Sequence, residues 1–137
     1  MMESISRRRA KHVWDRLNTT PVSPALVTLA KGFPVLVRGH GLAVAVALTQ
    51  ERARGGGSGG RANENAVILA FLEDWLLKGC PLDPFGKGSD ARASGGRGAL
   101  LEACMTSPSV AYLAAQVEAL SYLEQLKLIV GAVGEDR

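Results

Sequence analysis

A histidine set between two glycines, Gly39-His40-Gly41, is the one place in this chain where residue types invite a catalytic reading. A general base needs a nucleophile or an orienting partner, and a metal centre needs three or four ligands. The only other histidine, His12, stands in a basic run, and Cys80 and Cys104 fall in no metal-ligand spacing. The two cysteines read as reduced thiols in a cytoplasmic protein rather than as a disulfide framework. Gly55-Gly56-Gly57-Ser58-Gly59-Gly60 invites comparison with a phosphate-binding loop, but Arg61 and Ala62 follow where Lys and Ser or Thr are required. Gly86-Lys87-Gly88-Ser89 also misses the spacing. The first glycine run reads instead as a flexible linker over 55–60. No cofactor, metal or small-molecule substrate is expected.

The chemistry that remains is that of charge. The chain of 137 residues carries +3 overall, divided as +7 over Met1–Arg61 and −4 over Ala62–Arg137. A positive and a negative end fit nucleic-acid binding on one side and protein contact or head-to-tail stacking on the other. No unbroken apolar run exceeds the length of Leu42 to Leu48, which is far too short to span a bilayer, so no membrane association is expected.

The elements that must position these charges are helical. Ser6 to Asn18 is amphipathic, with Ala10, Val13, Trp14 and Leu17 turned to the core, and Arg8, Arg9, Lys11, His12, Asp15 and Arg16 turned to solvent. Ser23 and Pro24 mark the start of a second helix toward Arg38. Pro34 within it predicts a kink or break near Gly32 to Pro34. After a corner at Arg38–Gly41, an Ala-rich helix runs from Leu42 to about Arg54. Asn63 is the expected cap of a helix reaching Lys78 and closed by Gly79, with Ala66, Leu69, Leu72 and Leu76 on one face and Phe71 and Trp75 on a neighbouring one. The glycine-, proline- and serine-rich stretch 80–98 is expected to be a mobile loop. A short helix, Ala99 to Thr106, then leads into a long one from Ser107 to Val133.

That last helix carries two apolar stripes. Tyr112, Ala115, Ala119, Tyr122, Leu126, Ile129 and Val133 form one, and Val110, Leu113, Val117 and Leu120 the other. Two stripes predict packing from two directions, and Gly131 and Gly134 predict fraying at the end. No segment alternates like a strand. The expected fold is all-α: a single domain over 1–137, a compact bundle of about five to six helices with a long C-terminal helix.

With these residues in view the chain resembles the small helical subunit of the type III-B CRISPR (Cmr) RNA-targeting effector complex. Phe33-Pro34-Val35-Leu36-Val37-Arg38, then Gly41-Leu42 and the Ala-rich Ala43 to Leu48, is similar to that family's Leu-Pro-x-Leu segment, Gly-Leu and Ala-rich helix. Tyr112, then Glu118-Ala119-Leu120-Ser121-Tyr122-Leu123-Glu124 and Leu126-Lys127, is similar to its closing pattern. The chain departs from it at Gln125, where the family usually has Trp, at Leu128, where a basic residue is common, and at Val117, where Arg is frequent.

The resemblance implies a non-catalytic subunit that serves antiviral defence. Copies would stack along a ribonucleoprotein filament with other Cmr subunits, their basic faces holding the backbones of guide RNA and target RNA. Phosphate contacts of this kind carry no sequence information. The expected RNA-contacting residues are Arg8, Lys11, Arg16, Lys31, Arg38, Arg52 and Arg54. Two other readings stay open: a helical adaptor that binds only protein, through the apolar surface around Leu120 and Leu123, and a small hydrolase built on His40.

Overall fold

The computed structural model describes residues 4–54, 61–85 and 98–135, the side chains at 61–63 and 135 apart. The linker expected at 55–60 and most of the loop expected at 80–98 lie outside these residues. Within them the chain forms helices α1 (Ile5–Leu17), α2 (Pro24–His40), α3 (Leu42–Arg54), α4 (Arg61–Asp74), α5 (Ala99–Thr106) and α6 (Ser109–Glu135), with no strand. The all-α expectation holds.

Each start has a local cause. The Ser4 hydroxyl accepts the Arg7 amide at 3.2 Å, and Ser23 accepts the Leu26 amide at 3.1 Å. Ser23 also donates to Glu64 at 3.1 Å, tying the start of α2 to α4. Helix α4 already runs from Arg61, so Asn63 lies inside it and is not its cap. Its inward face is Ile68, Phe71, Leu72, Trp75 and Leu76, while Ala66 is exposed. The helix continues as a π-helical turn, Trp75–Gly79, in which the Cys80 amide reaches back five residues to the Trp75 carbonyl at 2.8 Å. Gly79 fits closely there, since a Cβ would stand 3.2 Å from the Trp75 ring and 3.3 Å from that of His12.

The break expected in α2 does not occur. Pro34 is buried inside a continuous helix, between Phe33 and Val37 of the packed face. Proline removes one helical hydrogen bond, and the packing of this face against α6 offsets that loss. The chain turns instead at Gly41, whose φ of 87° and ψ of 161° lie outside the range of ordinary residues. The side chains that meet the exposed amides of α3 come from α6: Gln116 accepts from Leu42 at 2.9 Å and the Tyr112 hydroxyl from Ala43 at 3.0 Å.

Helix α6 is the spine. It packs against α2 on one side and α1 on another, with α4 beneath, while α3 lies on α4 and α5 on α3. Ala115, Ala119, Tyr122 and Leu126 of the first stripe are buried as expected. The second stripe is not: Val110, Leu113 and Val117 are exposed and Leu120 is half-buried. Periodicity records which positions are apolar but not what covers them. The end does not fray at Gly131, because the helix continues to Glu135 and Gly134 sits close under Val27 and Val22 of the second helix and its approach.

A polar cluster joins α1, α4 and α6. Glu118 of α6, 5% exposed, receives both Nε and a terminal nitrogen of Arg9, at 2.6 and 2.7 Å, and the Trp75 indole N–H at 2.9 Å. His12 lies next to it, with Nε2 2.7 Å from Asp74 and Nδ1 2.6 Å from the Tyr122 hydroxyl. A carboxylate only accepts, so Nε2 donates, and in the neutral imidazole Nδ1 accepts from the phenol. Burial pushes the Tyr122 phenol well above its ordinary range and keeps that proton in place. Trp75 and Tyr122 stack at 5.4 Å, with the His12 ring edge-on to both.

Urea denaturation of three variants tests these contacts. Gly41→Ala should cost about 1–3 kcal/mol because its backbone conformation excludes a side chain, whereas Gly39→Ala, in a helix with open space around it, should be neutral or stabilising by up to about 1 kcal/mol. Glu118→Ala should cost roughly 3 kcal/mol, since Arg9 and the Trp75 N–H are left buried without a partner.

Candidate nucleic-acid interface

Seven cations are expected from the sequence to face RNA, and the structure separates them into three places. Arg8 and Lys11 are exposed on the outer face of α1. Lys31 and Arg38, seven residues apart, share the outer face of α2. Arg52 and Arg54 are exposed in the last turn of α3, where positive charge also favours the helix terminus. Arg54 edges a cleft of about 360 Å³ between α3, α4 and α5. Its one carboxylate, Glu73, is already turned to the Leu100 amide at 3.2 Å.

Arg16 departs from the expectation. Its guanidinium carbon lies 5.3 Å from the centre of the Phe71 ring, and a terminal nitrogen is 3.4 Å from Asp74. Its charge and its flat face therefore help to hold α1 on α4, although its Nε finds no partner among the described residues. Arg38 is half committed: it donates to Glu124 of α6 at 2.6 Å, and Lys127 reaches the same carboxylate at 3.0 Å. The hydrogen bond from Lys127, and then that from Arg38, hold the Glu124 carboxyl below its usual range. Three charges thus form a cluster of net +1, and Lys31 and Lys127 line a shallow groove floored by Leu128, Gly131 and Ala132. Lys127 is a member of this basic edge that sequence reasoning missed. Its i, i+3 spacing from Glu124 was the available signal.

The orientation of α1 corrects three further expectations. Arg9 and His12, expected outside, are 14% and 13% exposed and belong to the packed cluster. Trp14, expected in the core, is 55% exposed. The helix buries Arg9, His12, Val13 and Leu17, because the acids Glu118 and Asp74 wait on the facing helices. Apolar spacing alone favoured the face containing Trp14. Glu118, flanked one turn away by Ala115 and Tyr122 of the buried stripe, was the sequence clue that a cation would be drawn inward.

The residues that invited other chemistry are placed as follows. His40 is exposed at the end of α2. Cys80 and Cys104 are buried free thiols. Burial raises the Cys80 thiol and pushes that of Cys104 up to about 12, so neither is thiolate near neutral pH. Among the described residues no group of three His, Cys, Asp or Glu side chains is placed to hold a metal ion, and no helix is long and apolar enough to cross a membrane.

What the geometry offers is a helical body with cations on three outer edges and an uncovered apolar strip along α6 at Val110, Leu113 and Val117. No curated protein matches the sequence. The family model described as CRISPR-associated protein (Cas_Cmr5) matches residues 5–133, nearly the whole chain. The chain therefore belongs to the Cmr5-type family of small subunits of the type III-B CRISPR complex.

Proposed function

We propose that this subunit is non-catalytic, that it acts in the cytoplasm in antiviral defence, and that it stacks with copies of itself and other Cmr subunits along the filament while its cations steady the backbones of guide and target RNA. The observation that carries the reading is the outward placement of Arg8, Lys11, Lys31, Arg52 and Arg54, on a half of the chain with net charge +7. Cations on several edges suit a duplex held along its length, since phosphates are contacted wherever they pass and no base need be read. The non-catalytic part is supported by the use of His12 in helix packing. Stacking is supported by Val110, Leu113 and Val117, an apolar strip of the kind that marks protein contact.

The test pairs two variants. Arg8→Ala/Lys11→Ala should lower the slope of log affinity for RNA against log salt by roughly 1.4 to 1.8, with unfolding unchanged. An unchanged slope would remove α1 from the RNA surface. Val117→Glu should leave both fold and RNA affinity in place and reduce co-sedimentation with the other Cmr subunits. Binding to those subunits without any RNA affinity in the wild-type chain would favour a purely protein-binding adaptor.

A further inference from the structure

Trp14 is the anomaly of the surface. Phe33, Phe71, Trp75, Phe85 and Tyr122 are buried, and Tyr112 is half-buried with its hydroxyl engaged on α3. Trp14 alone among the described aromatic residues shows more than half of its surface. It does so on the outer face of α1, where Lys11 stands one turn before it, about 4.5 Å along the axis, and Arg7 two turns before. Arg8 is also exposed, about a third of the way round the helix from Trp14, and Asp15 is the one acid of α1.

We infer that Trp14 is a stacking platform for an unpaired base of single-stranded RNA, with Lys11 and Arg8 holding the adjoining phosphates. The inference rests on the reading of the chain as an RNA-binding subunit and adds to it a contact with a base. A flat indole offers the same face to any base, so stacking is tolerant of sequence. The cations beside it attract a polyanion and oppose a basic protein surface. A paired base presents no free face and would gain nothing from Trp14, so Trp14 adds affinity for a single strand that a duplex held by the same cations does not gain.

The test is a fluorescence titration of the full chain with a uridine oligonucleotide and with an RNA duplex of equal length. Trp75, 2% exposed, is an internal reference that RNA does not reach. The single strand should quench the Trp14 component and the duplex should not. Trp14→Ala should weaken single-strand binding roughly 5- to 100-fold with the salt slope unchanged, and Trp14→Phe should keep most of the affinity. Lys11→Ala should lower the slope by about 0.7 while quenching persists. Full affinity in Trp14→Ala without quenching in the wild type would overturn the stacking contact and leave the backbone contacts standing. No RNA binding by the wild type would overturn both. If Trp14→Ala instead loses association with the Cmr subunits and keeps its RNA affinity, the occupant is a protein surface and the inference fails.

Discussion

The structure depends on one buried carboxylate. Glu118 lies in the middle of the longest helix and binds a cation from α1 and an indole from α4, so three helices meet at a single side chain. A buried ion pair is costly to desolvate and contributes little net stability over an apolar contact of the same shape. What it supplies is register. The apolar stripe of α6, with its alternating alanines and large residues, can slide by one turn against a neighbour at modest loss, but a two-point contact with Arg9 exists at one alignment only. His12, between Asp74 and Tyr122, repeats the constraint one turn further along α1.

This division of α1 into two sides lets one short helix pack inward and present charge outward. Of the inward cations, Arg9 is matched by Glu118, and Arg16 lies half-exposed beside Asp74. Arg8 and Lys11 are turned to solvent. A count of basic residues overstates the charge offered to a polyanion, and only packing separates the two populations. On α2 the same separation is partial, because Glu124 shares itself between Arg38 and Lys127 and leaves one positive charge over.

Much of the fold was legible in the sequence because it is written in local chemistry. Ser23 with Pro24 marks the start of α2, Ala99 to Thr106 bounds α5, and the three-four spacing of Ala115, Ala119, Tyr122 and Leu126 names the buried side of α6. Other features were hidden, three of them for clear physical reasons. Pro34 is a breaker by local rules, yet the helix persists because a packed face outweighs one missing hydrogen bond. The rotation of α1 depends on acids 62 and 109 residues further along, which no local window of the chain contains. The second stripe of α6 is apolar and uncovered, and spacing cannot tell a surface that meets its own core from one that meets another molecule.

The capping of α3 by α6 has a consequence for the order in which the molecule assembles. The amides of Leu42 and Ala43 find their acceptors on Gln116 and Tyr112, about seventy residues later in the chain. On a ribosome these donors face water until α6 has emerged, so the corner between α2 and α3 gains its two acceptors only when the last helix docks. Helix α6 is thus the element that completes the N-terminal half.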